Sequence, residues 1–473
     1  MSSAPSPADT PRPAALPTEV VADNPRMPVD GGLAALGLVG LAAASVGAVL
    51  AIGLFVTAVT FGFGGMRGGI LPMLLLFAAS LVRTGYHIGA ARAAAKRRSD
   101  VGDAARRYVF VSVIHTVLTL GLTVFVWTRG IPLAAILPTL LVLVLYLMGW
   151  PIVFQVLVKR RLVKRIFSTM ETFDVEVVPG DRGVGSAGVL MAVFSALFLA
   201  IDLAMLALLL TSGVIGGAGI AWLVTLSLFV VRGAAPLRWG LSALRGRMDF
   251  AAFRKMTDVY LFVSAATVIA ALVAMFLTPE LRLAFSRAPF NIIFFAVAIA
   301  TALLAWPASL RAYAADAVPF WDAERDAERA FRPAVDRGLT ALGYLHLWFS
   351  VFGVTAWVAG AIGGGMGGLV PGVVSGGTEL DMLLGLVGVG AQLWVALELI
   401  GMTARYQLAA AIYAVVALGL TLLELFVLGD LFGALEGAAG AMPTIMIITG
   451  AVTSLVMPTM TFVLSRGKPP LTM

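Results

Sequence analysis

The chain has no cysteine in its 473 residues, which excludes disulfides, iron–sulfur clusters and thiolate metal sites. Histidine is nearly as scarce: three residues leave little for haem or zinc chemistry. Charge is thin as well. Asp, Glu, Lys and Arg together make up 12% of the residues, about half the share of an ordinary soluble domain. Walker, HExxH and GxSxG patterns are missing, so no nucleophile–base or metal-activated centre can be read and an enzyme is not expected. The glycine-rich stretch from Gly363 to Gly368 fits G-x-G-x-x-G on paper. It follows an apolar helix run and not a strand, which removes the nucleotide-fingerprint reading.

What the chain has instead is apolar length. Its hydrophobic fraction is 60% and its mean hydropathy +0.97, far more apolar surface than a water-soluble fold of this size can hide. Lipid is the expected solvent. A bilayer core needs about 20 apolar residues per helix, and twelve runs meet that need. They are Leu33–Phe63, Ile70–Ala91, Tyr108–Thr128, Ile131–Val158, Val189–Leu210, Val214–Val231, Val259–Leu277, Phe290–Ser309, Leu339–Ile362, Leu383–Met402, Leu408–Leu428 and Thr444–Leu464. The net charge of +7 then reads as a topology signal and not as a nucleic-acid footprint. Connections after even-numbered runs carry 24 Lys and Arg, those after odd-numbered runs only four. The positive-inside rule places both termini in the cytoplasm. Arginine outnumbers lysine, and Ala, Gly, Leu and Val dominate, the composition of a GC-rich bacterial chain and hence of an inner-membrane protein.

The expected fold is an all-α integral membrane bundle of about twelve spans, in three repeated four-helix units related by an axis along the membrane normal. The units are residues 31–158, 186–313 and 337–466. Three landmarks recur in register. Trp150-Pro151, Trp306-Pro307 and Met457-Pro458 lie 156 and 151 residues apart near the ends of the fourth, eighth and twelfth runs. Tyr108, Tyr260 and Tyr413 open the third helix of each unit, and a Gly-Gly pair follows the first helix of each. Four spans per unit is an even number, so all copies share one orientation, as in parallel-repeat transporters. Each proline removes a helix hydrogen bond and predicts a kink, read as a static bend before a hinge. Twelve helices in three groups of four is also the plan of the haem–copper oxidase core subunit. That chemistry needs histidines on helices 2, 6, 7 and 10, and runs 6, 7 and 10 here have none.

Outside the units, residues 1–30 are Pro-rich and read as a disordered cytoplasmic tail, and 467–473 as a short cytoplasmic end. The connection 159–185 begins Lys-Arg-Arg-Leu-Val-Lys-Arg and suits anionic lipid. Residues 314–336 mix Phe320, Trp321 and Phe331 with acids and arginines, the pattern of an amphipathic segment lying on the interface.

Ionisable groups inside apolar runs are the functional suspects. Asp202 stands between Ile201 and Leu203 with no polar neighbour in sequence, and a lone carboxylate there must be protonated, paired or wet. Arg83 is the cation nearest it in depth, so a structural Arg83–Asp202 pair and an ion site are both open. His346 and Glu398 sit at similar depth on helices 9 and 10, as a polar clasp or a proton relay. His87 and His115 share a depth on helices 2 and 3; a haem between them is a minor reading beside ordinary hydrogen-bonded histidines. Glu424 lies close to the outer surface. No metal or cofactor is expected. Two functions stay open: a transporter or channel for a small solute or ion, protons included, and a non-catalytic scaffold subunit of a larger membrane complex. Arg83, Asp202, His346 and Glu398 would carry the first.

Overall fold

A computed structural model of the chain describes residues 31–60, 70–96, 98, 100–127, 133–171, 184–211, 216–244, 250–279, 281–283, 289–315, 337–363, 379–401, 405–433 and 442–466. Among them the long elements are all α-helices: α1 (Gly31–Thr60), α2 (Ile70–Ala95), α3 (Val101–Trp127), α4 (Leu133–Glu171), α5 (Val184–Thr211), α6 (Gly217–Leu244), α7 (Phe250–Leu277), α8 (Pro289–Ala315), α9 (Arg337–Gly363), α10 (Glu379–Gly401), α11 (Tyr406–Gly433) and α12 (Met442–Arg466). Lipid offers no partner for a free N–H or C=O, so a segment that keeps its backbone bonds internal is the form such runs must take. Ten of the helices are long and apolar enough to cross a membrane among the described residues. The chain is a multi-pass membrane protein whose outer helices meet lipid. Phe110, Phe262 and Val415 stand exposed where water would penalise them and acyl chains do not.

Packing follows one rule through the three successive quartets of helices. Within each, first meets second, second meets third and third meets fourth. The first helices α1, α5 and α9 also meet one another at the centre. Each then packs against the last helix of a different quartet: α1 on α8, α5 on α12 and α9 on α4. The buried stretches Leu33–Ala44, Ala187–Phe194 and Leu339–Leu345 lie on this central trio. Small residues let the first and second helices approach closely. A Cβ added at Gly37 would strike the backbone of Ala91 and Ala95, one at Gly240 the Gly188 carbonyl, and one at Gly343 the Ile400 nitrogen.

Several boundaries differ from the sequence reading; α3 begins at Val101 and α7 at Phe250, so Tyr108 and Tyr260 lie inside these helices instead of opening them. α6 continues past Val231 through Arg232 and Pro236 to Leu244, because Arg232 finds partners inside the bundle. α4 continues through Lys159, Arg160 and Arg161 to Glu171, so the basic run begins as helix and not as a connection. Residues 1–30, 172–183, 316–336 and 467–473, with the Pro-rich tail and the interfacial segment expected there, lie outside the described residues.

Candidate functional site

The prolines organise the polar interior. Pro151 has no N–H to give the carbonyl of Leu147 four residues earlier, and the Arg83 guanidinium takes that place with Nη2 donating to the Leu147 oxygen at 2.8 Å. Its Nε donates to Ser112 Oγ at 3.3 Å, and Ser112 in turn donates to the Tyr108 carbonyl at 2.8 Å. The second quartet repeats the device. Pro307 orphans Leu303, Arg232 Nη2 donates to the Leu303 oxygen at 3.0 Å, and its Nε donates to Ser264 Oγ at 3.0 Å. Ser112 and Ser264 each stand four residues after the tyrosine landmark, Tyr108 or Tyr260. In the third quartet Ala417 replaces the serine and Gln392 the arginine, with Gln392 within hydrogen-bonding reach of Tyr413. There Pro458 follows Ser454 by four residues, and the Ser454 and Thr421 hydroxyls meet at 3.0 Å.

Around these caps the quartets diverge. In the first, His87 lies one turn beyond Arg83. Trp150 donates its indole N–H to His87 Nε2 at 3.1 Å. An indole can only donate, so Nε2 is the acceptor and the ring proton sits on Nδ1. The imidazole stacks flat on Tyr108, centroids 4.4 Å apart and planes 4° from parallel, with Phe154 edge-on at 6.1 Å. Next to this stack lies a cavity of about 60 Å³, room for about four water-sized groups at roughly 15 Å³ each. Arg83, Thr84 and His87 of α2 open onto it, with Tyr146 and Trp150 of α4, Trp348 and Phe352 of α9, and Val46, Gly47 and Leu50 of α1. It sits at the seam where α9 meets α4 and α1.

In the second quartet the arginine is enclosed. Arg232 is buried at 4% exposure, with the rings of Phe198 and Tyr260 at 5.7 and 5.6 Å from its guanidinium carbon, a cation–π arrangement. The charge acting on Asp202 is that of Arg232, and Asp202 Oδ2 is buried without a hydrogen-bond donor. Where the first quartet has His87, the second has Pro236, and the indole nitrogen of Trp306 is left buried without an acceptor.

The structure therefore rearranges the expected pairs. Arg83 and Asp202 do not pair: each belongs to its own cluster, and Arg232, which the sequence reading left in a connection, is the cation beside Asp202. His346 and Glu398 do not pair either. His346 Nε2 meets Thr461 Oγ1 of α12 at 2.7 Å, its ring stands edge-on to Tyr413 at 5.1 Å, and its Nδ1 is buried without a partner. Glu398 Oε1 accepts from Trp394 one turn away at 3.0 Å. His115 bonds Ser80 at 2.9 Å, so the two histidines of helices 2 and 3 serve different neighbours. Pro307 and Pro458 lie inside α8 and α12, and α4 runs helical through Pro151. The side chain of Glu424 lies outside the described residues. One signal for the caps was in the sequence: Arg83, Arg232 and Gln392 each lie eight residues before Ala91, Gly240 and Ile400, the residues at the close crossings.

The chain matches no family model, no curated protein and no solved structure.

Proposed function

We propose that this protein moves a small solute or ion across the membrane, through twelve spans built as three four-helix units around an axis along the membrane normal. The observation that carries this reading is the cavity at Arg83. A scaffold has no use for a space next to a guanidinium that no carboxylate among the described residues neutralises. Such intramembrane cations mark substrate or ion pathways more often than inert packing. The cyclic order, with each first helix against the last helix of another quartet, supports the threefold plan. Matching Arg–Ser–carbonyl caps in two quartets support it further. Both termini in the cytoplasm, an inner-membrane location and anionic lipid at the Lys159–Arg165 run rest on the charge pattern.

The test is flux. Purified protein in proteoliposomes should admit small labelled organic solutes or ions faster than protein-free vesicles, and Gly47→Leu should block that flux. A Cβ at Gly47 meets nothing within 4 Å, so the larger side chain fills the cavity without striking the backbone. Flux no greater than that of empty vesicles over a broad solute panel sinks the reading. The scaffold alternative draws on exposed side chains such as Phe110 and Phe262, which partner subunits would then cover in place of lipid. Co-purification of stoichiometric partners together with no flux would favour it.

A further inference from the structure

The five helices that line the Arg83 cavity are α1, α2, α3, α4 and α9. Their acidic residues are Asp103 in the first turn of α3 and Glu171 at the last residue of α4. Asp103 is largely exposed beside Arg106, and none of the cavity-lining residues is acidic. Among the described residues no carboxylate lies on this space, whereas the Arg232 charge acts on Asp202. Arg83 is part-buried, and an uncompensated charge within a membrane span is costly. Arginine has five N–H donors in a fixed fork; the bonds to Ser112 and Leu147 use two of them, and the Tyr108 hydroxyl lies within hydrogen-bonding reach of a third. The remaining donors suit the two oxygens of a carboxylate.

The rest of the wall narrows the ligand. Trp150, Trp348, Tyr146 and Phe352 present rings, and Val46 and Leu50 present aliphatic surface. Ring faces carry partial negative charge and repel a bare inorganic anion, whereas an alkyl tail gains from burial against them. The guanidinium rejects cations. Room for about four water-sized groups limits the occupant to a handful of heavy atoms. We propose that the Arg83 cavity binds a short-chain monocarboxylate, its carboxylate on the guanidinium and its alkyl end against Trp348, Phe352 and Leu50. The site thus takes from solution the group that the second quartet carries as a side chain. This deepens the transport reading by naming its substrate class.

Equilibrium dialysis of the full-length protein in detergent with labelled propionate tests it. Propionate should bind saturably at one site per chain. Equimolar 1-propanol, chloride or phosphate should not displace it. Arg83→Gln should weaken binding about tenfold or more, the scale of a lost charge-assisted hydrogen bond. Because Arg83 also caps Leu147, two further variants decide the matter if Arg83→Gln fails to fold. Gly47→Leu occupies the space, and Leu50→Asp tethers a carboxylate in it; both should abolish propionate binding in folded protein. Binding that survives both variants, or phosphate displacing propionate as well as propionate itself does, overturns the proposal. Propionate that binds but is not carried in proteoliposomes defeats the transport reading alone. Flux of another solute without propionate binding defeats this inference alone.

Discussion

Arg83 and Arg232 do the same structural task in different company. Each closes the carbonyl that a proline leaves open and each leans on a serine four residues after a tyrosine. Arg232 is buried beside the rings of Phe198 and Tyr260, with its charge acting on Asp202, while Arg83 looks into a cavity of about 60 Å³. The helix-capping role explains why a cation is present in both places. It does not explain the space beside Arg83.

Changes at the second site should have the largest effect on stability. Arg232→Met reopens the Leu303 carbonyl, frees the Ser264 hydroxyl and removes the cation acting on Asp202. Leaving a buried acceptor without its charged donor costs about 1–3 kcal/mol, which thermal or denaturant unfolding of the purified protein would register. A loss under about 1 kcal/mol would mean that Arg232 does not hold the Leu303 carbonyl. A sharper version of the comparison turns the second site into the first. Asp202→Gly should destabilise by about 1–3 kcal/mol, and added formate should recover part of the lost melting temperature where chloride does not. Without rescue, the equivalence between a side-chain carboxylate and a soluble one fails. The smallest effect concerns the proline. Pro151→Ala returns an N–H to Leu147, so Arg83→Gln should cost less in that background, with a coupling of about 0.5–3 kcal/mol between residues that share a partner. Strict additivity of the two substitutions would show that the cap is incidental.

The helical membrane class was readable because lipid leaves a chain little choice: a long apolar run must be a helix, and its length is set by the bilayer. Most of the twelve runs fall inside single helices of the structure. The failure at Val231 has a physical cause. Arg232 looks like an interfacial charge in a linear string, and only the folded bundle brings Leu303 and Ser264 to it from α8 and α7. The same holds for His346. Its similar depth to Glu398 suggested a pair, but depth fixes one coordinate and the helix face fixes another, and the face turns His346 toward Thr461. The prolines were recognised as backbone breaks. That an arginine on another helix would repair two of them needed the packing, although the common eight-residue step from Arg83, Arg232 and Gln392 to the tight crossings was in the string all along.

The cyclic packing carries one more implication. Since α1 rests on α8, α5 on α12 and α9 on α4, no quartet owns both walls of any seam, and the cavity itself is furnished by α9 of the last quartet as much as by α4 of the first. A fragment comprising a single quartet would present two raw apolar faces to whatever surrounds it. The closing helices emerge from synthesis long after the opening ones, so α1 and α4 must wait for α8 and α9 before either has its final neighbour.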